Sequence, residues 1–492
     1  VADAFVWHIP DDYIEPEEHI MVMGSLTESA ELAIIGAGPG GYVAAIRAAD
    51  LGKEVVVIEE NEKLGGVCLR AGCIPSKALI NAVDLIESSR MAKQMGLTFE
   101  EPKVDLDALR AWTNSVVDGL ISGVAGLLKR RGVEVIKGTA RFKDSHTLTI
   151  EGADVSEIEF KDCIIATGSD ISELPSSDAL PVWRSAEALR LPRIPETMVV
   201  VGGGYIGLEM GSVYAGLGTK ITVVEFSPRL LMGADFDLVN VVTKHCEKKF
   251  EAIMYDSKVV GLDTTSSGFM VTVEHEGETK KIETAQVLTA VGRNPKTREL
   301  GLDKIGITPD KRGFIHVNPE MQTDVPHIYA IGDVVPGPML AHKASREGKV
   351  AAEVIADHQS EFDNRAIPAV VFTDPELAWT GLTEREAEAS NLKVTIGRFP
   401  LRALGRARTM GRTDGMVKII SEPDTGLVLG VGMVGPHVSE LISEATLALE
   451  MGATLEDLMV TIHPHPTISE AIMEAAEVAA GEPIHISPPK KQ

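Results

Sequence analysis

Apolar and polar positions alternate along this chain in a way that repeats once. A short apolar run, Leu32-Ala-Ile-Ile, closes on Gly36-Ala-Gly38-Pro-Gly40-Gly41; a helix-like stretch covers 42–51, and a second apolar run, Val55-Val-Val-Ile, ends at Glu59. Short apolar runs bounded by glycine predict buried strands, so the unit is strand, turn, helix, strand. It recurs as Met198-Val-Val-Val, Gly202-Gly-Gly204-Tyr-Ile-Gly207, a helix to Leu217, and Ile221-Thr-Val-Val ending at Glu225. Gly36, Gly38, Gly41, Leu51, Gly52 and Glu59 fall on Gly202, Gly204, Gly207, Leu217, Gly218 and Glu225 with a constant shift of 166.

Other stretches have their own period. Residues 104–131 place Leu106, Leu109, Trp112, Val116, Leu120, Val124 and Leu127 at three-and-four spacing, which predicts an amphipathic helix with that stripe in the core. Prolines 175, 181, 192 and 195 mark a connection ahead of the second unit, and a strand-rich stretch follows it. Cys163, in an apolar run, and Cys246, in a helix-like one, are expected to be buried and inert. Residues 1–25 are acidic, contain Pro10 and Pro16 and show no period; they are expected to be a loosely ordered extension, with Met21 or Met23 as a candidate start.

Composition narrows what such a chain does. Its 492 residues suit three or four domains, and 44% hydrophobic content suits packed cores. With 47 basic and 72 acidic residues the net charge is −25, so no general basic field exists to hold a phosphate backbone, and no nucleic acid partner is expected. The longest runs free of Asp, Glu, Lys and Arg, such as the 15 residues 32–46, are too short and glycine-rich to span a bilayer. No membrane partner is expected. The first basic residue is Arg47, unlike the basic start of a leader, and four cysteines in so long a chain argue against a disulfide-stapled secreted protein. The expected location is the cytoplasm.

Strand, glycine turn, helix, strand and terminal acid is the order a dinucleotide site needs. The first glycine permits the tight turn, the second brings backbone to a pyrophosphate at the helix N-terminus, the third lets the helix pack closely, and the acid is placed to accept from a ribose. Two copies imply two dinucleotides, with Cys68 and Cys73 five positions apart between them. A pair that cycles to a disulfide needs sulfurs within bonding reach, which one turn-and-helix segment can provide; the alternative is two small buried hydrophobes. Gly65 and Gly66 permit close approach to a bound ring system, and Lys77, one helical turn beyond Cys73, can hold a thiolate or reduced flavin as an anion. A dithiol between two dinucleotide units points to one flavin and one nicotinamide cofactor.

Three further positions carry candidate chemistry. Glu225 would accept from a free ribose 2′-hydroxyl and repel a 2′-phosphate, favouring NAD over NADP, with Arg229 expected to be an exposed loop residue. Asp333, closing Tyr329-Ala-Ile-Gly-Asp, can accept from ribityl hydroxyls or simply cap a helix. His463-Pro-His465-Pro-Thr-Ile-Ser-Glu470 offers an imidazole and a carboxylate, a proton carrier and its orienter if the histidine is not merely structural. No metal-ligand set is expected.

The stretch Gly65-Gly-Val-Cys68-Leu-Arg-Ala-Gly-Cys73-Ile-Pro-Ser-Lys77 resembles the active-site segment of the flavin-dependent pyridine nucleotide-disulfide oxidoreductases, and the resemblance runs from about residue 31 to about residue 481. Cys163-Ile-Ile-Ala-Thr-Gly-Ser169 resembles the element that leaves the flavin domain, and Leu288-Thr-Ala-Val-Gly-Arg-Asn-Pro295 the return to it. Tyr329–Asp333 resembles the second flavin motif, and Pro338-Met-Leu-Ala-His342-Lys-Ala is closer to members that oxidise dihydrolipoamide than to glutathione reductases.

The resemblance implies an α/β fold of two Rossmann-like dinucleotide-binding domains, the first for FAD and the second for NAD, plus a C-terminal α+β dimerisation domain. It places an extension at 1–28, the FAD-binding and central domain at 29–170 and 291–362, the NAD domain at 171–290, the dimerisation domain at 363–482 and a tail at 483–492. Besides the two glycine loops and their acids, the cofactor contacts implied are Gly66, Thr167, Gly168, Gly292, Asp333, Met339, Leu340, Ala341 and His342. Cys68 would exchange with the substrate, Cys73 would face the flavin, and Lys77 would pair with a carboxylate beside it. His465 and Glu470 would form an acid–base dyad reaching the disulfide of the other subunit of a homodimer, with His463 packing or orienting alongside. The implied reaction oxidises dihydrolipoamide and reduces NAD; the partner would be a lipoyl-bearing carrier protein of a 2-oxo acid dehydrogenase complex or the glycine cleavage system. Alternatives are a related NAD(P)H-dependent disulfide reductase, which would want basic residues near Glu225, and a docking subunit. No cysteine follows Cys246, unlike members with C-terminal redox residues.

Overall fold

The computed structural model describes residues 26–487 except 175, 176, 178 and 179. The 1–25 extension with Met21 and Met23, Pro175 and residues 488–492 of the tail lie outside the described residues.

The first sheet is built around the apolar run Val55–Ile58, covered on both faces, so that every residue of the strand Val55–Glu59 is buried. Glu134–Lys137, Val55–Glu59, Leu26–Ile35 and Val155–Ile165 lie side by side and parallel. The last of these serves two partners along one edge. Its amino half pairs antiparallel with Thr147–Glu151, which continues to Thr139–Asp144, while its carboxyl half takes Ile328–Ala330 in parallel, Ile328 opposite Cys163. A segment from far along the chain thereby returns to the first sheet, and the helix after it, Ala341–Ile355, packs on Pro39–Asp50.

The chain leaves this layer through Ser169–Ile171 and comes back through Arg293–Pro295, which pair antiparallel as a two-stranded neck. Beyond the neck, Ala252–Met254, Lys220–Val224, Thr197–Val201 and Gln286–Thr289 form a parallel sheet, with a three-stranded antiparallel meander over 257–284. From residue 369 a five-stranded antiparallel sheet follows, in the order Ala369–Val371, Glu376–Gly381, Val428–Gly435, Met416–Ser421, Thr395–Pro400. Helices Val438–Met451 and Glu470–Ala480 cover it. Among the described residues no helix is long and apolar enough to cross a membrane.

One expectation about packing is corrected. Leu106–Arg130 is a helix, started by Asp105 accepting from the N–H groups of Asp107 and Ala108, but its buried face is Thr113, Val117, Ile121, Val124 and Leu128. Only Val124 belongs to the expected stripe; Trp112 and Leu120 are 43% and 44% exposed. The sequence carries two overlapping apolar stripes, and the one bearing Val117 and Ile121 meets Ala45, Ala48 and Leu69. Cys163 and Cys246 are buried as expected, and burial pushes the Cys246 thiol up to about 12 and the Cys163 thiol higher still.

Candidate active site

The two glycine loops repeat in atomic detail. Gly36 has φ +105° and Gly202 φ +107°, and a Cβ at either would lie 2.4 Å from a carbonyl oxygen, of Ala166 and Ala290 respectively. No other residue fits. Gly38 and Gly204 cap the helices Pro39–Asp50 and Tyr205–Gly216, and in front of both the chain leaves room, since a Cβ would meet nothing nearer than 3.8 Å. Gly41 and Gly207 pack against the carbonyls of Gly36 and Gly202.

The terminal acids have a role the sequence did not suggest. Glu59 accepts from Ala37 N at 2.8 Å and from Asn61, while Glu225 accepts from Gly203 N at 2.5 Å and from Ser227 N at 2.7 Å. Each carboxylate braces its own glycine loop and retains lone pairs for a ribose. Arg229 turns into its own loop, donating to the Ala234 carbonyl at 3.2 Å and lying over the Phe236 ring.

The first loop opens on a cavity of about 910 Å³ whose wall includes Gly36, Gly38, Glu59, Gly66, Cys68, Cys73 and Lys77 together with Thr167, Gly168, Asp333, Met339 and Ala341. Tyr205, Ile206 and Glu209, from the helix after the second loop, line it too. Gly292, Leu340 and His342, expected as cofactor contacts, do not. Gly292 turns the chain at the neck with φ +112°, Leu340 caps the helix starting at Ala341, and the His342 ring is drawn to the Pro368 carbonyl at 2.7 Å. Gly66, on the cavity wall, also packs closely on the first glycine loop: a Cβ there would lie 2.7 Å from Gly38 Cα.

Cys68 sits on the short helix Gly66–Ala71 and Cys73 opens the next, Cys73–Met91, with Gly72 breaking the path between them. The Cys68 thiol hydrogen-bonds Cys73, which with the Lys77 charge outweighs burial and brings the Cys73 thiol down to about 7; the same contact pushes Cys68 far up. The pair therefore gives up its first proton near neutrality and keeps its second far above it.

Lys77 Nζ lies 2.8 Å from Glu209 Oε2, a buried carboxylate whose other oxygen accepts from Phe372 N at 3.0 Å. Sequence reasoning left this partner unnamed, although Glu209 is the single charge in the apolar helix Tyr205–Gly216. Asp333 caps no helix; it accepts from the Ser169 hydroxyl at 2.5 Å, and Arg293 Nε donates to that hydroxyl at 2.7 Å. Beneath it the fully buried pair Lys343–Glu347, 2.7 Å apart, grips the Gly332 peptide through its N–H and carbonyl, a second support the sequence did not reveal.

His465 stands apart, off the cavity wall. Its Nδ1 donates to Glu470 Oε1 at 2.8 Å, and Glu470 Oε2 accepts from Thr467 N at 2.8 Å. Partial burial opposes ionisation of Glu470, but those hydrogen bonds hold its carboxyl below the ordinary range. The His463 side chain is buried, bonded to Glu444 at 2.7 Å and to the Thr461 carbonyl. Beside them Val460 and Ile462 stand in the open, the latter 94% exposed.

Residues 30–348 match the family model described as pyridine nucleotide-disulphide oxidoreductase, and residues 367–476 the one described as its dimerisation domain. The chain is 46% identical to a dihydrolipoyl dehydrogenase of Geobacillus stearothermophilus, over 95% of this chain and 99% of that one. It is 47% identical to a dihydrolipoyl dehydrogenase of Haloferax volcanii, over 94% and 99%. Among solved structures it is similar to LpdA from Mycobacterium tuberculosis, with a TM-score of 0.84 and 28% identity over 92% of this chain and 99% of that one. It is also similar to the HOCl-induced flavoprotein disulfide reductase RclA from Escherichia coli, with a TM-score of 0.80 and 27% identity over 91% and 99%.

Proposed function

The chain belongs to the pyridine nucleotide-disulphide oxidoreductase family, and on that premise we propose that it oxidises dihydrolipoamide carried on a partner protein and reduces NAD+. Its cofactors are FAD and NAD. The observation that carries the reading is the Cys68–Cys73 pair, hydrogen-bonded to each other on the wall of the cavity that the first glycine loop opens.

FAD suits the first unit by what the chain presents there. The helix N-terminus at Gly38 is open to a pyrophosphate, Glu59 keeps lone pairs for a ribose, Asp333 offers a carboxylate to ribityl hydroxyls, and one cavity joins all three to Cys73. Bound there, FAD supplies a two-electron carrier between the dithiol and NAD+. The equivalent loop at Gly202, Gly204 and Gly207, with Glu225 at its edge, would hold NAD.

The chain's own residues handle sulfur and protons. With Cys68 and Cys73 oxidised, a substrate thiolate attacks the Cys68 sulfur, the Cys68–Cys73 bond breaks, and Cys73 leaves as a thiolate. The second substrate thiol, its proton taken by the partner subunit's His465, displaces Cys68 and closes the lipoamide disulfide. The balance is dihydrolipoamide plus NAD+ giving lipoamide, NADH and one proton. Lys77, held by Glu209, keeps a positive charge beside Cys73, and Glu470 fixes the tautomer of His465.

The dimerisation domain supports a homodimer. We further propose that the lipoyl-bearing partner belongs to a 2-oxo acid dehydrogenase complex or the glycine cleavage system, and that the enzyme works in the cytoplasm. The test is the initial rate of NAD+ reduction with free dihydrolipoamide, with flavin content read from the same sample and NADPH plus glutathione disulfide run in parallel. A yellow protein active only in the first assay supports the proposal; activity only in the second overturns the choice of substrate and nicotinamide.

A further inference from the structure

The carboxylate of Glu209 is shared between residues from two other parts of the chain. One oxygen is 2.8 Å from Lys77 Nζ, the other accepts from Phe372 N at 3.0 Å, and the Phe372 ring lies against the same Lys77 ammonium, 4.3 Å from nitrogen to centroid. Lys77 belongs to the active-site helix Cys73–Met91, Glu209 to the helix that follows the second glycine loop, and Phe372 to the segment just after the strand Ala369–Val371 of the five-stranded sheet. Each of the three parts of the molecule supplies one side of a closed triangle next to Cys73.

We propose that Phe372 is a positioning residue for the dithiol: its ring and its N–H together hold the Lys77 ammonium beside Cys73, so that the dimerisation domain fixes the charge at the flavin-side sulfur. The inference rests on the reading of Cys68 and Cys73 as a redox pair and adds to it a residue from the third unit. Two opposed charges act on Cys73, Lys77 favouring its thiolate and Glu209 disfavouring it. Which one prevails depends on the ammonium staying nearer. Lysine is a point charge on a flexible four-carbon stem, and the partners of the Lys77 ammonium among the described residues, Glu209 and the Phe372 ring, lie outside its own helix. The ring does so from one side, because an aromatic face attracts a cation and displaces the water that would otherwise draw it away. The Phe372 N–H does so from the other, by occupying one oxygen of Glu209 and leaving the second aimed at Lys77.

The test uses the cleavage site that Arg70 places between the two cysteines. Tryptic digestion puts Cys68 in Leu-Gly-Gly-Val-Cys-Leu-Arg and Cys73 in Ala-Gly-Cys-Ile-Pro-Ser-Lys, so alkylation of the reduced holoenzyme by iodoacetamide is followed at each sulfur separately by mass spectrometry. In Phe372→Leu, which keeps the N–H and loses the ring face, the midpoint pH for Cys73 alkylation is expected to rise by about half a unit. Phe372→Trp, with a stronger cation-binding face, is expected to hold or lower it. An unchanged midpoint in Phe372→Leu, or a rise in Phe372→Trp equal to that in the leucine variant, overturns the proposal, since packing alone would then account for the residue. A parent protein whose Cys73 alkylates with the midpoint of an ordinary thiol fails one step earlier, removing the redox-pair reading and this proposal with it.

Discussion

His465 Nδ1 lies 2.8 Å from Glu470 Oε1 while 78% of the histidine side chain is left open. An ionised carboxylate only accepts, so Nδ1 carries the hydrogen and Nε2 remains as the base. That base lies off the wall of this chain's own dithiol cavity, and in the proposed mechanism it works on the cysteines of a second copy. His465→Gln is therefore expected to keep flavin bound and to cut dihydrolipoamide turnover by roughly 10²- to 10⁴-fold, the range of positioned proton transfer. Steady-state rates at matched flavin content measure this, and near-normal turnover would remove the dyad from the mechanism.

Cys73 is brought down to about 7 by its hydrogen bond from Cys68 and by Lys77, so its thiolate accumulates as pH rises through 7 and is lost below it. Partially reduced enzyme is expected to show the long-wavelength absorbance of a thiolate against oxidised flavin at pH 8 and to lose most of it by pH 6. Cys73→Ser should abolish that absorbance at every pH. Its survival in Cys73→Ser, with disappearance in Cys68→Ser instead, would mean the two roles are reversed.

The glycine loops were legible in the sequence because their glycines sit in a local pattern of strand, turn and helix that recurs at one spacing. Gly36 and Gly202 each hold a positive φ, while the carbonyls that would lie 2.4 Å from any added Cβ, of Ala166 and Ala290, come from distant parts of the chain and follow no shared spacing. The dyad was legible for the same reason, five positions separating His465 from Glu470. Glu209 was not, because it meets Lys77 across 132 positions and Phe372 across 163, and only the folded chain brings them together. The helix Leu106–Arg130 shows another limit: with Trp112 and Leu120 on one stripe and Val117 and Ile121 on the next, periodicity found the helix but not which stripe meets Ala45 and Leu69. His342 was expected at the cofactor from its neighbours in sequence, yet one carbonyl, that of Pro368, decides where its ring goes.

Glu225 joins selectivity to loop structure, since one oxygen accepts from Gly203 N and the other from Ser227 N. A carboxylate held in that position meets a free ribose hydroxyl with an acceptor and a 2′-phosphate with like charge. Glu225→Ala removes the brace and, on the proposed reading, the recognition. The ratio of kcat/KM for NAD over NADP is expected to fall about tenfold or more, consistent with losing a hydrogen bond to a charged group, and KM for NAD is expected to rise as the loop loosens. An unchanged ratio would place the selectivity elsewhere in the second unit.

Lys418 is fully buried, and its ammonium lies 2.6 Å from Asp235, 2.7 Å from Asp237 and 3.1 Å from Glu384, with Arg398 Nε 2.8 Å from Asp237. The three carboxylates are close enough together to suggest a metal cage, but the lysine already fills it. Asp235 and Asp237 stand at the start of the helix Phe236–Lys249, while Glu384, Arg398 and Lys418 come from the five-stranded unit, so the cluster pins one unit to the other. Lys418→Met would leave those anions short of a cation in a buried seam, and is expected to cost about 3–5 kcal/mol at pH 7. The pH dependence separates this from simple loss of packing. In the parent, burial disfavours the Asp237 anion, but hydrogen bonds from Arg398 and Lys418 outweigh it and lower its pKa, so that part of the stability is present above the unfolded value of about 3.8 and is lost as pH falls through the lowered one. Without Lys418 that balance tips toward burial, so the variant should recover part of its deficit between pH 7 and pH 5 as protons replace the missing ammonium. Urea unfolding at the two pH values measures it; an equal deficit at both would assign the loss to packing rather than charge.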